Sequence, residues 1–271
     1  MRPIVLLLCL VACAPAAPGP AEAQDWAVAK LEASPRHHEW LEVPAGEGRT
    51  VRSFVAYPEA PGKTLAVIVI HENRGLTDWV RLFADQVAGA GYLAIAPDLL
   101  SGFDAGHAHT GAFESADAAR EAIYALDADR VTADLLAVQK HVASLPAASG
   151  KTIVAGFCWG GSQSFRFATS SPDLSAALVF YGTGPDDAAA IAAITAPVYG
   201  FYGENDERVN ATIPESKRLM AEHGKTYEVE IYDGAGHAFM RQADDPEGPP
   251  EAKAAQEKAW ARMKEILAGI E

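Results

Sequence analysis

Apolar runs alternate with amphipathic segments along most of the chain. Short apolar runs bounded by turn residues predict buried strands, at residues 64–70, 92–96, 153–155, 176–181, 198–202 and 226–232. Segments with apolar positions at helical spacing predict helices between them, at residues 78–90, 131–145, 162–169, 188–194, 213–223 and 250–270. Strands that alternate with helices are typical of a doubly wound, mostly parallel sheet, in which ligands bind outside the carboxyl ends of the strands.

Two other segments complete the predicted fold. Residues 40–43 and 49–57 alternate apolar and polar positions around a turn at 44–48, which predicts an antiparallel hairpin. Residues 99–127 are rich in Gly, His, Asp and Ala, and this composition favours a loop or a partial lid over the strand ends. We therefore predict an α/β fold with a mostly parallel twisted sheet, helices on both faces and an N-terminal antiparallel hairpin.

The N-terminal residues have the features of a Sec signal peptide. A basic residue precedes an apolar run at 4–14, and a small-residue stretch ends in an Ala-x-Ala cleavage signal at 21–23. The apolar run is shorter than the ~18–20 residues that a membrane-spanning helix needs. The pattern predicts a signal peptide over 1–23, a single domain over 24–271, and export to the periplasm or the medium. The residues that end in Cys13 resemble a bacterial lipoprotein box, so a lipid anchor at Cys13 is an open alternative.

Composition and charge narrow the class of partner. The 271 residues are 49% hydrophobic and 21% charged, which suits one globular α/β domain. The net charge of −14 argues against nucleic acid or an anionic membrane surface as a partner. The pairs His37-His38 and His107-x-His109 lack carboxylates or thiols at ligand spacing, so no metal site is predicted. No cofactor is expected, and the sequence does not predict the oligomeric state.

A cysteine flanked by glycines follows one of the predicted strands. Gly156-Phe157-Cys158-Trp159-Gly160 has the Gly-x-Cys-x-Gly form of a nucleophile elbow, with cysteine in place of the usual serine. The glycines keep Cβ atoms out of a tight strand-to-helix turn, and the helix N terminus favours a thiolate. Removal of residues 1–23 leaves Cys158 as the one cysteine of the chain. Taken alone, the pattern also fits a buried, inert cysteine in a glycine-rich turn.

Two further polar residues complete a candidate triad in the chain order nucleophile, acid, histidine. Asp206 and His237 each come after their own predicted strand. In this hypothesis Asp206 fixes the tautomer of His237, which takes the thiol proton and later protonates the leaving alkoxide. Glu204 and Glu207 are rival acids. We prefer Asp206, since Glu204 lies closer to the strand end and Glu207 resembles a solvated loop carboxylate.

The loop after the first buried strand reads His71-Glu72-Asn73-Arg74-Gly75. Hydrolases with a nucleophile elbow build the oxyanion hole from the backbone N–H after the nucleophile and a second donor in this earlier loop. We therefore predict Trp159 and Asn73 as the two donors. Glu72 is an additional carboxylate in this loop, and a capping or turn role is the alternative interpretation of it.

Together these motifs resemble the dienelactone hydrolase family (carboxymethylenebutenolidases), from about residue 51 to the C terminus. The shared features are Glu72, Gly-x-Cys-x-Gly, Gly-x-x-Asp-x-x-Val around Asp206 and Gly-x-x-His-x-Phe around His237. The resemblance implies the α/β-hydrolase fold and a triad of Cys158, His237 and Asp206. It also implies that Glu72 contacts the resting thiol and gates formation of the thiolate.

Substrate-binding arginines are a further feature that the resemblance implies, because the family holds a substrate carboxylate with them. Arg241, shortly after the histidine motif, matches one of these arginines. The other is expected shortly after Pro97-Asp98, where residues 99–103 contain no arginine. Arg74 is our candidate replacement. The missing arginine and the export signal are both departures from the family's cytoplasmic enzymes.

The sequence predicts a cysteine-dependent hydrolase of small ester or lactone substrates that acts through a thioester intermediate. Two alternatives stay open. One is broad carboxylesterase or thioesterase activity with the same triad. The other is a non-catalytic binding protein of the same fold whose Cys158 responds to oxidants. The sequence does not identify the physiological substrate.

Overall fold

The computed structural model describes residues 24–46, 48–59 and 61–270. The predicted signal peptide and Cys13 lie outside these residues. A mixed sheet runs through the described part of the chain, and its strands are β1 His38–Pro44, β2 Thr50–Ala56, β3 Thr64–Ile70, β4 Leu93–Pro97, β5 Ala148–Phe157, β6 Leu174–Phe180, β7 Val198–Gly203 and β8 Tyr227–Tyr232. The spatial order is β1-β2-β4-β3-β5-β6-β7-β8. β2 pairs antiparallel with β1 and β4, and all other neighbours are parallel.

Helices cover both faces of the sheet, each with an apolar side turned to it. They are α1 Asp25–Glu32, α2 Asp78–Gly89, α3 Ala116–Ala125, α4 Ala128–Ser144, α5 Trp159–Ala168, α6 Ala188–Ala192, α7 Glu207–Asn210, α8 Ile213–Glu222, α9 Phe239–Asp244 and α10 Pro250–Ile270. Buried side chains of α1, α2, α9 and α10 form the core on one face, and those of α4, α5, α6 and α8 form the core on the other. Because strands between two cores face apolar surroundings on both sides, every residue of β3 is buried.

The predicted α/β architecture with its N-terminal hairpin is confirmed, and β3 and α10 have the predicted bounds. Two bounds around Cys158 were wrong. β5 is longer than the predicted 153–155, and α5 begins directly after Cys158 rather than at residue 162. Of the glycines that suggested a turn, Gly156 lies in β5, whereas Gly160 and the neighbouring Gly161 lie inside α5. A Cβ at Gly161, for example, would press on the carbonyl oxygen of Phe180, so these glycines permit close helix–sheet packing.

The segment at 99–127, predicted as a loop or partial lid, contains α3 and a 3₁₀ turn at Thr110–Ala112. Ser115 starts α3, because its Oγ accepts a hydrogen bond from the N–H of Ala118 at 3.1 Å. The buried side of α3 is made of two alanines and one isoleucine, which gave only a weak apolar signal in the sequence. These residues pack against Leu100 and include Ala119, Ala122 and Ile123.

A buried ion cluster joins the start of β1 to α2. Asp85 is 2% exposed and accepts hydrogen bonds from Arg36 Nη2 at 2.5 Å and from Ser34 Oγ at 2.6 Å. The Nε2 atom of His38 lies 2.8 Å from the same carboxylate. Burial opposes ionisation of Asp85, but these hydrogen bonds outweigh burial and lower the pKa of Asp85. The cluster therefore fixes the N-terminal hairpin to a helix next to the candidate site.

Candidate active site

Cys158 lies at a sharp turn between β5 and α5. Its φ of 55° is in the left-handed region, which a non-glycine residue adopts when its surroundings enforce it. A Cβ at Gly160 would overlap the backbone carbonyls of Ile70 and His71, so only glycine lets the turn approach β3 this closely. The N–H of Cys158 donates to the carbonyl of Phe180 at 3.0 Å. The turn leaves the thiol partly exposed at the carboxyl end of β5.

His237 links this cysteine to a buried carboxylate. Asp206 follows β7 and is 6% exposed, and His237 follows β8. The distance between Asp206 Oδ2 and His237 Nδ1 is 2.5 Å. The ring of His237 lines the same cavity as Cys158, and the ring of Tyr181 packs edge-on against the ring of His237 at 5.1 Å between centroids. The structure therefore brings the three predicted triad residues to one place.

The pKa of His237 is raised to about 9. Burial of the ring lowers this pKa, but hydrogen bonds with Asp206 and Cys158 and the charges of both groups raise it by more. At neutral pH the ring is therefore an imidazolium. An imidazolium beside a cysteine stabilises the thiolate and is also a proton donor for a leaving group.

The two rival acids of the loop after β7 have other surroundings. Glu204 Oε2 accepts a hydrogen bond from the N–H of Gly234 at 2.8 Å. Glu207 is exposed and belongs to the first turn of α7. Of these carboxylates, Asp206 is the one hydrogen-bonded to His237.

His71 organises the loop that follows β3. It is fully buried, its Nδ1 lies 2.8 Å from the carbonyl oxygen of Glu72, and its Nε2 accepts a hydrogen bond from the N–H of Leu99 at 3.3 Å. Burial lowers the pKa of His71, which keeps the ring neutral with the proton on Nδ1. The ring stacks on that of Trp159 at 5.5 Å. His71 thus connects the two segments that carry the predicted oxyanion donors.

The predicted oxyanion donors are Trp159, which directly follows Cys158, and Asn73 in the loop after β3. Trp159 is the first residue of α5, so its backbone N–H has no acceptor within the helix. Asn73 lines the same cavity as Cys158, and its side-chain amide donates to the hydroxyl of Tyr124 at 3.2 Å. The side chain of Asn73 is therefore hydrogen-bonded to α3, so its backbone N–H is the candidate oxyanion donor.

Glu72 is paired with Arg241 across the site. Arg241 Nε donates to Glu72 Oε2 at 2.8 Å. The other oxygen, Glu72 Oε1, and the hydroxyl of Tyr181 are buried without a hydrogen-bond partner within the described residues. Burial raises the pKa of Tyr181 well above its usual value, and the charge of Glu72 adds to this. The contact of Glu72 with the resting thiol, which the family resemblance implies, stays a prediction.

A cavity of about 500 Å³ opens beside Cys158 and His237. Its walls come from the loop after β3, the segment with α3, and the segments after β7 and β8. The walls combine aromatic side chains with several cations, including Phe113, Tyr124, Arg74, Arg208 and Arg241. A cavity of this size holds a small organic molecule.

Asp98 and Thr110 attach one cavity wall to the loop after β3. The Asp98 carboxylate is 3% exposed and accepts hydrogen bonds from the N–H and the hydroxyl of Thr110, both at 2.7 Å. The Thr110 hydroxyl in turn accepts a hydrogen bond from the N–H of Leu76 at 3.0 Å. Gly75 has a φ of 79°, and a Cβ there would meet Thr110. This chain of contacts fixes the predicted oxyanion loop against the lid-like segment.

Sequence reasoning missed three residues of the site. Arg208, His71 and Tyr181 border or support the cavity. Arg208 lies within the motif around Asp206, where its position two residues after the acid was a usable signal. The roles of His71 and Tyr181 depend on contacts between distant segments, which no local motif records.

The parts of the chain that the structure describes contain neither a cluster of metal ligands nor a membrane-spanning helix. There, no group of three or more His, Cys, Asp or Glu side chains is arranged to hold a metal ion. No helix in those parts has both the length and the apolar character needed to cross a bilayer.

Comparisons with known proteins give a consistent result. A sequence model of the dienelactone hydrolase family matches residues 51–270. A Saccharolobus solfataricus protein provisionally named a carboxymethylenebutenolidase is 30% identical over 252 residues, covering 82% of this chain and 95% of that protein. A Salmonella typhimurium protein with the same provisional name is 34% identical over 239 residues, covering 82% and 84%. A solved Klebsiella pneumoniae structure, provisionally named a dienelactone hydrolase, has a TM-score of 0.75 at 25% identity, covering 86% and 98%.

Proposed function

Because this chain belongs to the dienelactone hydrolase family of carboxylic ester hydrolases, with the α/β-hydrolase fold, we propose that it hydrolyses small esters or lactones with Cys158 as the nucleophile. Asp206 and His237 complete the triad in this proposal. The observation that carries it is the 2.5 Å link between the Asp206 carboxylate and the His237 ring, which lines the same cavity as Cys158. That link borders a cavity of about 500 Å³, which suits a small substrate.

Acylation is the first half of the proposed reaction. The thiolate of Cys158 attacks the ester carbonyl carbon and forms a C–S bond, and the carbonyl electron pair moves onto oxygen. The backbone N–H groups of Trp159 and Asn73 hold this oxyanion. When the intermediate collapses, the C–O bond to the leaving group breaks and His237 gives its proton to the departing alkoxide. A thioester on Cys158 remains.

Deacylation returns the enzyme to its starting state. Neutral His237 accepts a proton from a water molecule, whose oxygen attacks the thioester carbonyl. The second tetrahedral intermediate collapses by breaking the C–S bond, so the acid product leaves and Cys158 departs as a thiolate beside the re-formed imidazolium. The Asp206 carboxylate stabilises the imidazolium in both halves of the reaction.

Substitution of the nucleophile tests the proposal. We expect Cys158→Ala to lower kcat/KM for a small activated ester, such as para-nitrophenyl acetate, by at least about 10³-fold. Mass spectrometry of the quenched wild-type reaction should find one acyl group on the peptide that contains Cys158. Cys158→Ser serves as the matched variant, because it keeps a nucleophilic atom in the same turn. Unchanged turnover by Cys158→Ala would falsify the assignment.

Broad carboxylesterase or thioesterase activity is the second candidate. The observation that favours it is the position after Pro97-Asp98, where buried Leu99 and Leu100 stand instead of an arginine. A panel that compares a dienelactone with simple acyl esters and acyl thioesters separates the two candidates. A lactone kcat/KM no higher than that of the simple esters supports the broad activity.

Export of the chain is a separate proposal that rests on the N-terminal sequence alone. The charged start, apolar run and Ala-x-Ala signal support cleavage after Ala23, and the lipoprotein-like box supports acylation of Cys13 instead. Mass spectrometry of the protein from a periplasmic fraction distinguishes a chain that begins at Gln24 from one that carries lipid on Cys13. An uncleaved chain recovered from the cytoplasm would contradict both.

A further inference from the structure

We propose that Gln24 is a substrate-binding residue, whose side-chain amide donates a hydrogen bond to an uncharged oxygen of the substrate. The substrates that it selects are small esters or lactones with a ketone, ether or hydroxyl oxygen besides the ester group. This proposal rests on the proposed function, because it assigns a specificity residue to the same cavity. Gln24 lies outside residues 51–270, which the family model matches, so this role does not come from the family resemblance.

Gln24 is a buried polar residue on the wall of the cavity that contains Cys158. It is 8% exposed, and it lines this cavity together with Leu76 and Asp78. A side-chain amide has one oxygen that accepts hydrogen bonds and one nitrogen that donates them. Leaving either atom without a partner in a buried place costs free energy, so the partner of each end shows what Gln24 can do.

The acceptor end of this amide is bonded to the start of α2. Gln24 Oε1 accepts a hydrogen bond from the backbone N–H of Trp79 at 2.7 Å. This N–H lies in the first turn of α2, where it has no acceptor within the helix, and Thr77 at the N-cap position makes no side-chain capping bond. Because a backbone N–H can only donate, the amide oxygen faces Trp79 and the orientation of the Gln24 amide is fixed.

The donor end of the amide is left for a ligand. Gln24 Nε2 makes no hydrogen bond within residues 24–46, 48–59 and 61–270, so both of its N–H groups are available to a molecule in the cavity. Asp78, which directly precedes Trp79 and is paired with Arg81, lines the cavity as well. An anion bound beside Gln24 would face this carboxylate, and an uncharged oxygen is therefore the favoured acceptor.

The helix that Gln24 begins holds this residue in place. The backbone carbonyl of Gln24 accepts a hydrogen bond from the N–H of Ala27 at 2.7 Å, in the first turn of α1. Ala27 is fully buried, and Lys30 Nζ donates to the carbonyl of Asp244 in α9 at 2.8 Å. α1 is thereby attached to the core, so the Gln24 amide is ordered before a substrate binds. A donor that is already ordered costs little entropy on binding and discriminates well between ligands.

The test uses pairs of esters that differ in one acceptor oxygen. In the first pair, para-nitrophenyl methoxyacetate has an ether oxygen where para-nitrophenyl butanoate has a methylene group. In the second pair, para-nitrophenyl 4-oxopentanoate has a ketone oxygen that para-nitrophenyl pentanoate lacks, farther from the reacting carbonyl. The measured quantity is the ratio of kcat/KM within each pair. Comparing this ratio between a variant and the wild type cancels the intrinsic reactivity of the esters.

Gln24→Glu separates the donor from the cap. Its carboxylate still accepts the Trp79 N–H and suits a helix N terminus, but at neutral pH it has no N–H to donate. We expect Gln24→Glu to lower the ratio of at least one pair by about 3- to 10-fold, while its urea unfolding midpoint stays at or above that of the wild type. Gln24→Met removes both ends, so it should lower the ratio similarly and also unfold at lower urea. Gln163→Glu makes the same replacement on α5 outside the cavity lining and should keep the wild-type ratio.

Two results would overturn the role of Gln24. One is a ratio in Gln24→Glu within twofold of the wild type for both pairs, which includes an equal loss on all four esters, because an equal loss means that Gln24 acts only through α2. The other is a ratio that falls in Gln163→Glu as far as in Gln24→Glu. The proposed function fails separately: if Cys158→Ala still hydrolyses para-nitrophenyl butanoate, the triad is wrong, whereas Cys158-dependent turnover with unchanged ratios removes only the role of Gln24.

Discussion

Replacing Asp206 by Asn removes a negative charge beside His237 and preserves the shape of the side chain. The carboxylate is 6% exposed and its Oδ2 lies 2.5 Å from His237 Nδ1. The pKa of His237, raised to about 9 from an ordinary 6.5, depends on this contact and on Cys158. Since the histidine pKa is raised, the imidazolium is present below about pH 9 and is lost as the pH rises through that value.

The expected size of the effect follows from the charge that is lost. An opposite charge in direct contact shifts a pKa by about 1 to 3 units, and the contribution of Cys158 remains after the substitution. We therefore expect the pKa of His237 to fall by about 1 to 2 units in Asp206→Asn. Because the proposed acid is the imidazolium, the basic limb of the pH–rate profile should move down by the same amount. Loss of the ordering carboxylate should also lower kcat at neutral pH by about 10²- to 10⁴-fold.

The assay is kcat/KM for a neutral activated ester, measured from about pH 5.5 to 10.5, because this quantity reports the ionisations of the free enzyme. Asp233→Asn is the matched control: this exposed aspartate follows β8 and its loss removes one charge near the site. Its basic limb should stay with that of the wild type. A basic limb in Asp206→Asn that stays near pH 9, or that moves to higher pH, would refute the reasoning about His237.

Three further predictions concern the support of the site. Gly160→Ala forces a Cβ into the backbone at the end of β3. It should lower the free energy of unfolding, measured in urea, by about 1–3 kcal/mol and should remove most of the activity. The control Gly269→Ala, which adds a Cβ in open space on α10, should be neutral or stabilising. Asp85→Asn leaves Arg36 without its carboxylate and should cost about 2–4 kcal/mol; a loss below about 0.5 kcal/mol contradicts the cluster's role. Thr110→Val removes the two hydrogen bonds that the Thr110 hydroxyl makes, one to Asp98 and one from the N–H of Leu76. It should lower kcat by a larger factor than it changes KM, and Thr110→Ser, which keeps the hydroxyl, should retain most of the wild-type kcat.

The sequence predicted the sheet well because the strong signals coincide with the buried parallel strands. β3 is apolar at nearly every position, and its predicted bounds match the structure. Weak signals failed where burial uses small side chains: α3 buries alanines against Leu100, and its composition suggested a loop. The start of α5 was missed because Gly160 was interpreted as a turn residue, although it lies in a helix that presses on the end of β3.

In the candidate site too, residues that belong to local motifs were predicted, and contacts between distant segments were not. Cys158, Asp206 and His237 each belong to a short motif at a strand end, so local sequence was enough to select them. The loop after β3 was also recognised, but the contacts that hold it were not. His71 stacks on Trp159 from a distant segment, and Asp98 reaches Thr110 across a loop. Such contacts depend on where the topology brings segments together, which a pattern within one segment does not encode.

Backbone strain provides an independent pointer to the same site. Within the described ranges, the non-glycine residues with positive φ are Cys158 at 55°, Tyr181 at 41° and Ala238 at 62°. Cys158 follows β5, Tyr181 follows β6, and Ala238 directly follows His237 within the histidine motif after β8. The Tyr181 ring contacts the His237 ring, and Cys158 and Ala238 line the same cavity as His237. Each such residue costs about 1–3 kcal/mol and persists only where packing over-determines it. The fold therefore concentrates its unfavourable backbone at the thiol and its imidazole partner, and the buried strands on both sides compensate. A cysteine with no role beyond filling a turn would not require that concentration, because glycine would adopt the same φ without strain.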